Sequence, residues 1–299
     1  MKNFKFKKID AFATKKSNGN PAGYIKLRSQ NDLSDKEMLK IARELKGYVN
    51  EVGFVFQQKD NQFDLKYFSS EREVDLCGHA TVAIFYDLIH TDSKLINFQT
   101  LYANTNKGLL PVFNRINKEN AVFILSPLPL ESKKIPPLDK IAKFLKIKTN
   151  EVDSGLPVSL INAGLMTLLV PVEYLDSILK INPDLNELKQ FCIDYEVDII
   201  EVFSKEVSHQ ESDFRSRVFA PRFGYLEDPA TGSGNSALGY YLMKNNLWKK
   251  DTLNIEQNNN RNQFNRVKLQ KQKDEQGNPR VAFGGAAITR IDGSYYFYD

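Results

Sequence analysis

The order of apolar and polar positions divides the chain into short segments of two alternating periods. Residues 5–12 alternate, which predicts a strand, and Lys2, Lys5, Lys7 and Lys8 read as its solvated face. Ser34 followed by Glu37 is a capping box, in which each side chain can satisfy an orphan N–H at a helix start. Met38, Leu39, Ala42 and Leu45 then recur at helical spacing as far as Gly47, a natural stop. Two runs with strand alternation follow, YVNEVGFVFQ and FDLKYFSS. From Cys77 the period lengthens again, and Ala80, Ala83, Ile84 and Leu88 mark a second helix, after which residues 97–126 return to strand patterning. SPLPLESKKIPPLDK (126–140), rich in proline and charge, reads as the connection into a second half. There VSLINAG, MTLLVPV, DIIEVFS and SRVFAP predict strands, while VEYLDSILK and LNELKQFCIDY predict helices. Ala237, Leu238, Tyr241 and Leu242 form the buried stripe of a last helix. The Asn/Gln-rich stretch 256–265 is expected to be a mobile loop, and VKLQKQ with RVAFGGAAITRID a closing hairpin.

The two halves share a short pattern. Glu73, Cys77-Gly-His and Ala83 match Glu227, Thr231-Gly-Ser and Ala237 in spacing, and Tyr86 and Leu88 then match Tyr240 and Leu242. Two similar α/β halves facing each other across a cleft account for the match.

Composition narrows the function classes. The 299 residues are 41% hydrophobic and 26% charged, with a net charge of +4. These values suit a folded chain with a sizeable core. The basic residues are scattered and make no stripe for nucleic acid. MKNFKFKKID has no apolar signal-peptide core. The longest mostly apolar run, 158–172, is interrupted by Asn162 and Thr167 and falls short of the ~20 residues of a membrane span. Cys77 and Cys192 make no disulfide framework, so a reduced, cytoplasmic protein is expected.

Three stretches can carry chemistry. In EDPATGSGNSAL, Asp228 and Pro229 fit a helix N-cap and first position, with Thr231 as the alternative cap. Gly232 and Gly234 would each cost about 1 kcal/mol inside a helix. At a helix start they either admit an anion to the backbone N–H groups or merely relieve packing. In LCGHAT, Cys77 is either a nucleophile or acid/base thiol or a small core residue, and His79 either a proton shuttle or a satisfied surface residue. Glu51 sits in a run that is apolar on both faces. There it is either desolvated, with a pKa raised toward neutral, or a strand-end acid paired with a lysine. A metal is not expected, because Cys-x-His supplies two ligands and Cys192, His90 and His209 show no paired spacing.

IDAFATKKSNGNPAGYI, IARELKGYVNEVGFVF, YFSSEREVDLCGHATVAIFY, DSGLP, VFAPRFGYLEDPATGSG and FGGAAITRIDG occur in this order and together resemble the PhzF-type isomerase family, named for phenazine biosynthesis. That family is related in fold to diaminopimelate epimerase and proline racemase. The resemblance spans nearly the whole chain. It implies an α/β (α+β) fold of two similar domains, each a mixed sheet wrapped around a central helix, with the active site in the interdomain cleft. The domains are expected as 1–118 with a C-terminal strand at about 290–299, and 119–289. It further implies a homodimer, no metal or organic cofactor, and a proton or hydrogen shift on a small carboxylated substrate. The family's catalytic glutamate falls on Glu51, its CGH histidine on His79 and its EDPATGSG aspartate on Asp228. Gly232 and Ser233 fall on ligand-contacting positions, Asn20 lies in a loop facing the same cleft, and Cys77 and Gly78 are expected substrate contacts. The founding reaction isomerises trans-2,3-dihydro-3-hydroxyanthranilate, with the glutamate as shuttle.

The chain departs from the family pattern at several places. Lys66 replaces a common arginine, Ser69-Ser70 replace Thr-Pro, Glu51 precedes Val-Gly in place of Thr-Ala, and IEQNNNRNQFNR lacks the usual EQG…GRPS. These changes put the founding substrate in doubt. Two-base epimerases of this fold carry a cysteine at each helix start, whereas the second position here is Thr231, too weak a base. A one-thiol epimerase using Cys77 and a metabolite-binding module without turnover remain as alternatives.

Overall fold

The computed structural model describes residues 1–274 and 276–298. The chain forms two compact units, residues 1–125 with the segment from 284 onward, and residues 126–283. The first unit runs β1 (Lys2–Ala11), β2 (Asn20–Lys26), α1 (Asp35–Glu44), β3 (Glu51–Lys59), β4 (Gln62–Ser69), β5 (Glu73–Val74), α2 (Gly78–Thr91), β6 (Thr100–Thr105), β7 (Gly108–Asn114), α3 (Ile116–Glu119) and β8 (Val122–Leu125). The chain continues with β9 (Leu130–Ser132), α4 (Leu138–Leu145), β10 (Ser159–Asn162), β11 (Met166–Pro171), α5 (Leu175–Lys180), α6 (Leu185–Asp194), β12 (Ile199–Ser204), β13 (Phe214–Phe219), β14 (Glu227–Asp228) and α7 (Gly232–Lys244). After β15 (Thr252–Gln257), β16 (Asn265–Lys273) and β17 (Pro279–Gly285), β18 (Ala287–Phe297) returns to pair with β1.

Three expectations change. The 126–140 connection contains β9, and α4 begins before it ends. RVAFGGAAITRID is two strands, broken after Gly285, because β18 leaves to pair antiparallel along β1. Glu256 and Gln257 belong to β15 rather than to a loop, and the buried Arg215 fixes the turn after them by donating to the Asn258 and Asn260 carbonyls, both at 2.7 Å.

In the first unit the capping box holds as drawn, with Ser34 and Glu37 exchanging side-chain-to-backbone bonds at the start of α1. β3 is buried on both faces. Val52 and Phe54 join Met38, Ile41 and Ala42 of α1 in one apolar core. Gly53 and Val55 face the other way, and a Cβ on Gly53 would stand 2.4 Å from Ile84 of α2. A helix buried on all sides must be apolar all round. Accordingly Ala80, Val82, Ala83, Ile84, Phe85, Leu88 and Ile89 cover α2, which packs on β1, β2, β3, β8 and β18. The buried Asp87 is matched by Lys7 Nζ at 2.7 Å, the Tyr24 hydroxyl at 2.6 Å and Thr289 Oγ1 at 3.0 Å. Those donors compensate a desolvation that would cost several kcal/mol for a lone carboxylate.

The second unit repeats the plan. α7 is buried from Gly232 to Leu242 apart from Ser233, and it packs on β10, β11, β12 and β16. A separate core forms from α4, α5 and α6 against Leu168, Val170, Ile200, Val202 and Phe219.

The register shows how closely the units correspond. In the first, β2 is parallel to β3, β4 is antiparallel to β3, and β5 caps β4 just before α2, with Glu73 opposite Phe68 and Val74 opposite Tyr67. In the second, β11 is parallel to β12, β13 is antiparallel to β12, and β14 caps β13 just before α7, with Glu227 opposite Phe219 and Asp228 opposite Val218. The sequence match of Glu73 and Cys77 to Glu227 and Thr231 is therefore a structural equivalence.

Candidate active site

Glu51 is the first residue of β3, with Ala22 of β2 and Ser69 of β4 as its cross-strand partners. Cys77 holds the N-cap position of α2 in an extended conformation, so its thiol projects at the mouth of the helix, and His79 stands in the first turn. These elements bring three reactive groups together. The Cys77 thiol donates to Glu51 Oε2 at 3.8 Å and lies 3.4 Å from His79 Nδ1, while His79 Nε2 lies 3.3 Å from Glu51 Oε2. Burial pushes the Glu51 carboxyl up to about 7, and the Cys77 thiol offsets this only in part by hydrogen-bonding the ionised form. Among the described ion pairs its partner is His79, not a lysine, so the surface-pair alternative for Glu51 falls away. A carboxyl that titrates near neutrality beside an imidazole can accept and return a proton. Asn20, the first residue of β2, is buried and accepts from Asn50 Nδ2 at 3.2 Å, next to Glu51 in the chain. Gly78 opens α2, where first-turn N–H groups have no helical partner.

In the second unit the helix cap is Thr231, not Asp228, which lies in β14 before it. The Thr231 hydroxyl donates to Asp228 Oδ2, so the hydroxyl at the second thiol position is committed to holding the aspartate. Gln257 pins the turn from below: its Oε1 accepts from Thr231 N at 3.0 Å and Asn235 Nδ2 at 2.7 Å, and its Nε2 donates to the Asp228 carbonyl at 2.9 Å. The two glycines leave no empty space on their Cβ side. A Cβ on Gly232 would come within 2.1 Å of the Phe283 ring, and one on Gly234 within 2.7 Å of Glu201 Oε2. Close seating of α7 on its sheet requires them, while the first-turn N–H groups remain at the helix start.

Glu201 escaped the sequence reading. It lies in β12 with no exposed surface, neither carboxyl oxygen makes a well-formed hydrogen bond, and burial pushes its pKa up to about 8, opposed only in part by the nearby Ser216 hydroxyl. Its one available signal was a single acid inside the apolar run 199–203.

The fold thus gathers Glu51, Cys77 and His79 at the start of α2, and Asp228, Thr231, Gly232 and Ser233 at the start of α7. In the first cluster the Glu51, Cys77 and His79 polar atoms all lie within 4.8 Å of one another.

Residues 9–293 match the model of the phenazine biosynthesis-like protein family, PhzC-PhzF. The chain belongs to this family. At the level of the family it is an isomerase. It is 28% identical over 97% of its length to an uncharacterized isomerase of Bacillus subtilis, 99% of which is covered. A PhzF-family phenazine biosynthesis protein of Bacillus anthracis superposes with a TM-score of 0.85 at 25% identity, over 99% of this chain and 100% of that one. The fold extends to a hydroxyproline epimerase of Agrobacterium vitis, with a TM-score of 0.58 at 10% identity over 99% of this chain and 91% of the other. Among the described residues of this PhzC-PhzF chain, no helix is long and apolar enough to cross a membrane.

Proposed function

We propose that this PhzC-PhzF protein is a cofactor-independent isomerase that moves a proton on a small carboxylated molecule, with Glu51 as the carrier. The observation that carries the reading is the Glu51 environment, a carboxyl raised to about 7 and set 3.3 Å from His79 Nε2. Ionised Glu51 takes a proton from a substrate carbon next to an electron-withdrawing group, then delivers it to another position, so no net proton is consumed. His79 orients the carboxylate and stabilises its charge. Asp228 orients the substrate and assists the transfer, while Gly232 and Ser233 contribute to substrate binding, with the first-turn N–H groups of α7 favouring an anion such as a carboxylate. Asn20, Cys77 and Gly78 serve as further substrate contacts, and a homodimer is the expected assembly.

A second reading, a one-thiol epimerase, is favoured by the Cys77 Sγ lying 3.4 Å from His79 Nδ1. The deciding experiment is NMR in D2O with a panel of small carboxylates, including the dihydro-hydroxyanthranilate and several amino and hydroxy acids. Deuterium incorporation or isomerisation by the wild type that disappears in a folded Glu51→Gln variant supports the shuttle. A folded, active Glu51→Gln protein overturns it.

A further inference from the structure

Both ends of the Asn/Gln-rich stretch return to the turn that carries Asp228. Gln257, the last residue of β15, is opposite Asn265, the first of β16, and both are buried. Asn265 Nδ2 donates to the Pro229 carbonyl at 2.7 Å, and Gln257 Nε2 donates to the Asp228 carbonyl at 2.9 Å. Asn235 Nδ2, one turn into α7, donates to the Thr231 carbonyl at 2.8 Å. Side-chain amides thus clasp the turn from Asp228 to Thr231.

The Gln257 amide also fixes the place of a proton. Its Oε1 stands 3.0 Å from the Thr231 backbone N–H, which can only donate, and its Nε2 faces the Asp228 carbonyl, which can only accept. Two backbone partners of opposite kind leave the amide a single orientation. The second Nε2 proton then goes to Thr231 Oγ1, 3.0 Å away. A hydroxyl carries one proton, and with Oγ1 accepting from Gln257 that proton goes to Asp228 Oδ2. Gln257 has no exposed surface, and Thr231 and Asp228 keep 7% each, so a lost bond leaves a buried group unpaired.

We propose that Gln257 is a positioning residue for Asp228, acting through the Thr231 hydroxyl, which it fixes as a donor to Oδ2. This rests on the reading of Asp228 as the group that orients the substrate and assists the transfer. Held in this way, the carboxylate meets the substrate in one orientation and need not reorganise during the reaction. The threonine at the second thiol position thereby has a task other than that of a base.

The test is a double-mutant cycle on whichever compound of the D2O panel is turned over, with full-length variants shown by circular dichroism to be folded. Thr231→Val keeps the side-chain shape and removes the hydroxyl, and Gln257→Glu replaces the Nε2 donor with an acceptor. Each is expected to lower kcat by roughly tenfold to 100-fold, with Thr231→Ser recovering most of the loss seen in Thr231→Val. In the Asp228→Asn background Thr231→Val should cause no further loss, because the hydroxyl acts through the carboxylate. Losses that multiply, or full activity in Thr231→Val, overturn the proposal. Nitrogen-15 NMR reads the clasp without a substrate. The Gln257 side-chain amide protons, assigned by their absence in Gln257→Glu, should exchange with water on the order of tenfold or more slowly than those of a surface glutamine, and should shift in Thr231→Val. Exchange at the surface rate overturns the clasp. Protected amide protons in a protein that turns over none of the panel, or that keeps its full rate as Asp228→Asn, leave the clasp standing and remove Asp228 from the chemistry, and the positioning role with it.

Discussion

Gly53 and Glu201 occupy the same position in two copies of one strand arrangement. Gly53 is opposite Tyr67, itself opposite Val74, and Glu201 is opposite Val218, itself opposite Asp228. Directly opposed residues share a sheet face, so both positions lie beneath a central helix. In the first unit Gly53 yields its space to Ile84, and the Tyr67 hydroxyl bonds Thr81 Oγ1 at 2.7 Å. In the second, the smaller Val218 leaves room that the Glu201 side chain enters, ending against Gly234 without a well-formed hydrogen bond. The charged or titratable residue nearest in register on that face is Asp228, which is bonded by Thr231.

A buried acid without a charged partner makes stability depend on pH. Burial raises Glu201 from 4.5 to about 8, so the folded state holds its proton where the unfolded chain has released it. Stability contributed at this site falls as pH rises from about 4.5 to about 8, with a limiting slope near 1.4 kcal/mol per pH unit. Glu201→Gln removes that slope and is expected to melt above the wild type at pH 8, with the advantage shrinking toward pH 5. Thermal denaturation of both proteins across this range checks it, and parallel melting curves would show that Glu201 is ionised in the fold.

The rate of proton transfer should follow the Glu51 carboxyl. As the acceptor it must be ionised, so kcat/KM rises with pH through a limb near 7 and not near 4.5. Glu51→Gln is expected to lower turnover by roughly 10²–10⁴-fold with little loss of stability.

Cys77 divides the shuttle from the one-thiol epimerase. Its thiol hydrogen bond favours ionised Glu51. Cys77→Ala is therefore expected to stay active and to move the rising limb of the profile to higher pH. Loss of all turnover in a folded Cys77→Ala protein would instead assign the chemistry to the thiol.

Gly232 should tolerate no side chain. The added Cβ of Gly232→Ala would overlap Phe283, and overpacking of this kind costs about 1–3 kcal/mol. Denaturant unfolding reads the loss, and Gly232→Ala with Phe283→Leu should recover part of it.

Much of this was legible along the chain. Period alone marked α1 and α2, because one face of α1 and nearly all of α2 must be apolar to bury. The capping box named the start of α1. The small-residue turns marked the two helix starts, although the choice of Thr231 over Asp228 as the cap was settled by β14 pairing with β13. The alternation of RVAFGGAAITRID gave no sign of its break, since both strands carry the same period and differ only in their partners.

What the sequence by itself determined is most of the strands and helices, though not β9, α4 or the break between β17 and β18, together with the doubling of one strand-and-helix plan and the membership that its motifs carry. These depend on local spacing, which a single chain displays. Tertiary structure alone decided that Glu51 is half-buried beside Cys77 and His79, that Phe283 and Glu201 fill the space left by Gly232 and Gly234, and that Glu201 is fully enclosed with no charged partner. Each of these is set by strand register and packing between residues far apart in the chain, and desolvation, which shifts both carboxyls, exists only once that packing is complete.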